Sequence, residues 1–200
     1  MPMTTSTIWI GLNLIPFLSL LVVKCVSPIQ YKKRDYLLCF LYYYMNVNAL
    51  YYFLSSPPYE RILNGEGFSP ISIITYTISF EGVFYIWHRI SHIPVLYKLL
   101  HAHHHVNFQV EPMDFIDVDY VDSLGFHLCM HMPLVVIPLH SLEYLSWYFV
   151  MTTSGFLLHS DLLGEHHRLH HKYFHCNYCF LIPIFDTIFG TYRSGPSIRL

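Results

Sequence analysis

At 200 residues the chain is the size of one domain, and no break in composition divides it, so residues 1–200 read as a single unit. Hydrophobic residues make up 54% and charged residues 12%, about half the charge of an ordinary soluble domain. A net charge of −2 gives no basic surface for nucleic acid, and five irregularly spaced cysteines do not form a disulfide framework.

The first apolar run covers residues 8–23, interrupted by Gly11, Asn13, Pro16 and Ser19. It falls slightly short of a full span, a deficit that tilt or bilayer thinning absorbs. A secretory leader is the rival reading. No Lys or Arg precedes the run and no small-residue cleavage pattern follows it, so it is expected to be retained. The second run, 37–54, carries Tyr42, Tyr43, Tyr44, Tyr51 and Tyr52, as expected of a helix with interfacial and packed faces. A polar turn over 55–69 holds Pro57, Pro58, Gly65 and Gly67, and the third run, 70–87, is broken only by Glu81. The fourth, 131–158, is long enough for one tilted span or for a hairpin broken at Pro133 and Pro138. The hairpin is preferred because it leaves His127 and His159 on one side. The expectation is an all-α integral membrane fold of about four transmembrane helices with a helical cap.

With the N-terminus outside, ten of the eleven Lys and Arg fall on one side: Lys24, Lys32, Lys33, Arg34, Arg89, Lys98, Arg168, Lys172, Arg193 and Arg199. Only Arg61 falls on the other. The positive-inside rule makes the crowded side cytosolic, and the histidine clusters lie there.

Those clusters are the chain's strongest signal. Of its 15 histidines, most fall between His88 and His105 or between His159 and His171. His88 and His92 form an H-x3-H, whose rings project from one helical face a turn apart. His101, His104 and His105 form an H-x2-H-H, and His167, His170 and His171 form another. In each triplet the nitrogens can converge on one ion or divide between two neighbouring ones. Eight ligands result, with His159 as a ninth. Imidazole suits iron, zinc and copper and binds without charge, so an all-histidine shell leaves the metal's charge to other groups. Glu81, Asp161, Glu165 and Asp186 are the expected outer carboxylates orienting the ligand rings. No Glu-x-x-His occurs, which disfavours a carboxylate-bridged ferritin-like site. His103 and His166 sit between ligand candidates and are expected to point away. His127, His131 and His140 lie on apolar stretches, where a hydrogen-bonded core histidine is the default, and His175 is expected at the surface or in an outer layer of the site.

The three clusters resemble those of the sterol desaturase and fatty acid hydroxylase superfamily. The likeness extends to Glu81 seven residues ahead of His88, to Leu96-Tyr97-Lys98 before His101, and to Asn177-Tyr178, Asp186 and Phe189-Gly190-Thr191-Tyr192-Arg193 at the end. The stretch from Asp122 through Pro138-Leu139 to His159-Ser160-Asp161 is most similar to the sterol C-5 desaturase (lathosterol oxidase) branch. Two positions depart from the pattern: Asp119 stands where the family has a histidine, and Cys179 replaces a glycine, creating Cys176-x-x-Cys179. A redox or zinc role for that cysteine pair is the minor reading.

The resemblance implies two iron ions facing the cytosol in the endoplasmic reticulum. It also implies O2 as oxidant, and electrons from NAD(P)H through cytochrome b5 and its reductase. The expected reaction is oxidation of a membrane lipid, foremost a sterol, by desaturation or hydroxylation, two outcomes the histidines do not distinguish. A fatty acid or other lipid hydroxylase, and an inactive relative with zinc in the site, remain the alternatives. Tyr76, Phe80, Phe84, Trp147 and Phe149 are read either as a sterol slot or as ordinary helix packing.

Overall fold

The structure is a computed structural model that describes residues 5–27, 36–55, 68–163 and 165–195. Among them it is all-helical, with no strand. The helices are α1 (Thr5–Val26), α2 (Tyr36–Ser55), α3 (Pro70–Ser91), α4 (Pro94–Leu100), α5 (Tyr120–His131), α6 (Ser141–Leu158), α7 (Glu165–Tyr173) and α8 (Ile184–Ile188). Short 3-10 turns occupy His104–Val106, Pro112–Phe115 and Met132–Val135.

The first three apolar runs each become one helix. The fourth does not: residues 131–140 hold a 3-10 turn and bends, and α6 takes only Ser141–Leu158. Pro133 and Pro138 remove the amides a continuous helix would need. The helix before this break is α5, which begins at Tyr120 and packs on α2 and α3. At 12 residues, about 18 Å, it is too short to cross a bilayer.

Among the described residues one helix, Ser6–Val26, is long and apolar enough to cross a membrane by length and composition. Tyrosines and hydroxyls dilute α2, α3 and α6. The long helices nevertheless turn apolar side chains outward: Leu14, Phe17 and Leu21 on α1, Leu37 and Leu41 on α2, Ile71 and Ile74 on α3 are exposed. Their polar side chains turn inward, with Ser19 and Asn46 fully buried. This inversion suits a lipid solvent, in which helices gain little from burying apolar faces and associate through packing and hydrogen bonds. Thr153 Oγ1 donates to Ser19 Oγ (3.0 Å), Asn46 Nδ2 to Ser123 Oγ (3.0 Å), Trp147 Nε1 to Thr77 Oγ1 (3.0 Å) and Tyr76 to the Met130 carbonyl (2.6 Å).

These pairings set directions. Ser19 meets Thr153 while Gly11 lies against Leu145, so α1 and α6 run parallel. Glu143, at the start of α6, accepts from the amides of both His140 (2.9 Å) and Ser69 (2.5 Å), the residues that cap α6 and α3. Both helices therefore start at one level. Pro70 to His88 and Ser141 to His159 are each 18 steps, about 27 Å of helix, so His88 and His159 arrive together at the opposite level. That rise is close to the hydrocarbon thickness of a bilayer. Lys32, Lys33, Arg34, Arg61 and Arg199, on which much of the charge asymmetry rests, lie outside the described residues.

Candidate metal centre

Nine histidines meet where α3, α4, α6 and α7 end or begin. One ring nitrogen from each of His88, His92, His101, His105 and His170 lies within 4.8 Å of all the others, and the same holds for His104, His159, His167 and His171. All nine expected ligands fall in these two groups. Two nitrogens on one ion at about 2.1 Å are at most about 4.2 Å apart, so shifts of a few tenths of an ångström close each group around an ion.

Local structure aims each ring. His88 leaves the last turn of α3 and His92 caps it, the i, i+4 spacing placing both on one face. His101 caps α4, and the 3-10 turn after it swings His104 and His105 back towards the others. His159 caps α6. On α7, His167, His170 and His171 share the inner face at i, i+3 and i+4 and are buried, while Arg168 and Lys172 on the outer face are exposed.

Outer contacts then select the tautomers. His88 Nδ1 donates to the Tyr178 carbonyl (2.8 Å), His159 Nδ1 to the Gly155 carbonyl (2.8 Å) and His170 Nδ1 to the Cys176 carbonyl (2.7 Å). Carbonyls only accept, so these Nδ1 atoms carry the proton and each Nε2 keeps a lone pair. His101 Nδ1 meets Asp122 Oδ2 at 2.7 Å in a nearly buried pair, the carboxylate–histidine arrangement common behind metal ligands.

The Nε2 atoms of His88, His92 and His101 are buried with no hydrogen-bond partner, and those of His104, His105, His159, His167, His170 and His171 face only one another, at 3.1–3.3 Å. Leaving one such group unpaired costs about 1–3 kcal/mol, so their concentration in one place fits residues built to ligate. Burial, reinforced by the neighbouring imidazoles, holds His88, His104, His105, His167, His170 and His171 well below the usual histidine range, and His92 at about 3. His159 is lowered to about 4, again chiefly by burial. Neutral rings with free lone pairs are the form a metal ion takes up.

The outer carboxylates do not act as expected. None of Glu81, Asp161, Glu165 and Asp186 orients a ligand ring directly. Glu81 accepts from the amides of Phe180, Leu181 and Ile182 at 2.8–2.9 Å, and Asp186 from those of Tyr178 (2.8 Å) and Cys179 (2.7 Å) and from Thr191 Oγ1 (2.7 Å). Together they clamp the segment whose Tyr178 carbonyl holds His88, one layer further out. Asp161 is exposed and pairs with Arg168, and Glu165 is exposed on the outer side of α7. Both sit on the wet face, away from the ring nitrogens. The orienting groups that sequence reasoning missed are Asp122 and three main-chain carbonyls. Asp122 could have been found, since it stands in the segment where Asp119 replaces the family histidine.

His103 and His166 fall outside both groups: His103 Nε2 pairs with Asp117 (3.0 Å), and His166 Nε2 donates to the Phe180 carbonyl (3.0 Å). Asp119 caps α5 and lies 3.8 Å from His103, so the departure at this position leaves both groups complete. Asn177 takes the left-handed conformation (φ 58°), which its side chain tolerates, and ties the main chain of His166 to that of Arg193. Cys179 has no positive φ, so the glycine is not needed there. Burial pushes the Cys176 and Cys179 thiols up, the reverse of a reactive pair.

One wall of a cavity is made by His88, His101, His104, His159 and His167, the rest by Phe84, Trp87, Phe115, Phe126 and Phe180 with Tyr43, Ser123 and His127. About 50 Å³ inside it is free for the centre of a water-sized sphere. Of the five aromatics proposed for a lipid slot only Phe84 lines it. Tyr76 and Phe80 are buried against Trp147, and Phe149 packs on the core from outside.

The fatty acid hydroxylase family profile matches residues 73–191. A Delta(7)-sterol 5(6)-desaturase of Eremothecium gossypii is 34% identical over 122 residues, 54% of this chain and 34% of that protein. The human cholesterol 25-hydroxylase is 28% identical over 147 residues, 62% of this chain and 52% of that protein. A very-long-chain aldehyde decarbonylase, GL1-6, of Oryza sativa subsp. indica is 24% identical over 139 residues, 56% of this chain and 21% of that protein. The chain thus spans between about one fifth and one half of the length of these relatives. No solved structure matches it.

Proposed function

This chain belongs to the fatty acid hydroxylase family, and from that premise we propose that it is a membrane-bound di-iron oxidoreductase that uses O2 to desaturate or hydroxylate a lipid, foremost a sterol. The observation that carries the reading is the two groups of five and four histidines forming one wall of an aromatic cavity. Two bound iron ions supply the oxidising power for an unactivated C–H bond. The protein's residues do the rest. His88, His92, His101, His105 and His170 hold one ion, and His104, His159, His167 and His171 the other. Phe84, Trp87, Phe115 and Phe180 exclude water and lay an apolar substrate beside them. Asp122 and the carbonyls of Gly155, Cys176 and Tyr178 keep His101, His159, His170 and His88, respectively, in the ligating tautomer.

Completeness of both groups despite Asp119 supports an active enzyme over an inert relative. We further assign the electrons to NAD(P)H through cytochrome b5 and its reductase, and the site to the cytosolic face of the endoplasmic reticulum. The test is lipid profiling after expression in a host lacking its sterol C-5 desaturase, with metal analysis of the purified protein. Conversion of lathosterol-type to 7-dehydro sterols is expected, with two iron equivalents per chain. A zinc-only, redox-inert site in protein made with abundant iron would sink the oxidoreductase reading.

A further inference from the structure

The cavity has a polar corner away from the ligand rings. On α5, Ser123 and His127 stand four residues apart and so share a face, and both line the cavity. His127 is 1% exposed and its Nδ1 lies 2.7 Å from the Ser123 carbonyl. That carbonyl only accepts, so Nδ1 carries the proton, and the neutral ring presents a bare, accepting Nε2. Nε2 is buried with no partner. Beside it, Ser123 Oγ accepts from Asn46 Nδ2 at 3.0 Å, which leaves the serine proton to donate. His127 follows Asp122 by five residues, about 7.5 Å along α5 on the side away from His101. It therefore belongs to the cavity, not to the metal groups, and neither group contains it.

An acceptor and a donor on one face, in an otherwise aromatic cavity, match a hydroxyl group, which both donates and accepts. We infer that His127 and Ser123 dock the hydroxyl of a lipid alcohol whose hydrocarbon body lies along the aromatic lining of the cavity. The inference deepens the function proposed above by naming the polar handle of its substrate. The hydrocarbon supplies affinity in bulk, and the hydroxyl fixes which carbon faces the histidines. A hydrocarbon lacking the hydroxyl leaves the buried Nε2 unpaired, and sites of this kind reject such analogues strongly.

The test uses the full chain in detergent micelles, without reductant, and two probe pairs: cholesterol with cholestane, and hexadecanol with hexadecane. Competition against the tritiated alcohol gives an alcohol-to-hydrocarbon affinity ratio for wild type, His127→Leu, His127→Gln and Ser123→Ala. Micelle partitioning cancels when variants are compared. Wild type is expected to prefer the alcohol of one pair by about tenfold, the loss expected when a buried acceptor lacks its donor. The pair that shows it identifies the source, sterol or long-chain alcohol. In His127→Leu the ratio falls to about one, while His127→Gln, which keeps an acceptor, recovers part of it. Ser123→Ala gives an intermediate ratio and carries the test if His127→Leu does not fold, as judged by its melting temperature. A wild-type ratio of one for both pairs overturns the inference, as does no binding, or a preference that His127→Leu and Ser123→Ala leave intact. A trapped water serving as the partner gives that same ratio of one. An alcohol preference without any oxidised product would remove the oxidoreductase reading and leave the docking site standing. Oxidised product with a preference indifferent to these variants would do the reverse.

Discussion

Asp122 tests the metal centre where the sequence did not point. Asp122→Leu keeps the side chain's approximate size but leaves His101 Nδ1 buried beside hydrocarbon. The contact it removes is 2.7 Å long, and both side chains are at most 7% exposed, so water does not replace it. A hydrogen bond to a charged group contributes about 1.5–3 kcal/mol, which corresponds to roughly 10- to 150-fold in an equilibrium constant. That agrees with the ~10- to 100-fold loss of metal affinity usual when a group behind a ligand is removed. His101 belongs to the five-histidine group, so that group's ion should leave first. The assay is iron per chain by mass spectrometry after dialysis against graded chelator. Wild type should hold two equivalents at a chelator concentration that strips Asp122→Leu to about one. Equal loss from both groups, or retention of both ions at wild-type affinity, would refute the assignment of Asp122 to His101 and of His101 to one ion.

Replacing His88, His104, His167 or His171 singly by Ala should abolish lipid oxidation, whereas His103→Ala, at a ring outside both groups, should keep most of it; a dead His103 variant means the ligand set is wrong. Gly125→Ala should cut turnover of a bulky lipid at least several-fold. A Cβ there would stand 2.1 Å from the Trp87 ring, which must move, and Trp87 lines the cavity; an unchanged substrate profile would show that it moves elsewhere. The chelator-stripped protein should melt at progressively lower temperature as pH falls from about 6.5 towards 4. Burial holds the cluster's histidines below their unfolded value of ~6.5, His92 at about 3, so the unfolded chain binds more protons across this window and gains stability as pH drops. A melting temperature that is flat or rises on acidification contradicts neutral, buried rings.

Local chemistry made the ligands legible. Spacings of three and four residues place His167, His170 and His171 on one face whatever surrounds them, and a concentration of imidazoles next to apolar runs has few uses besides metal. The positions of the first three helices could likewise be read from continuous apolar runs. What fails to show in one dimension is everything that depends on two distant segments meeting. Main-chain carbonyls occur at every residue, so nothing in the string marks those of Gly155, Cys176 and Tyr178 as the acceptors that set three tautomers. Glu81 was recognisable as a buried acid near His88. Its real contacts, the amides of Phe180 to Ile182, lie about 100 residues away, and only tertiary packing brings them together. The helix over Tyr120–His131 does not stand out in the sequence because it mixes acid, histidine and glycine with apolar residues. Its helical state comes from docking against α2 and α3 rather than from an apolar run. The division of nine histidines into five and four also belongs to the folded chain. It follows from α3 and α6 starting at one level at Glu143 and rising through equal lengths of helix, which delivers His88 to one group and His159 to the other.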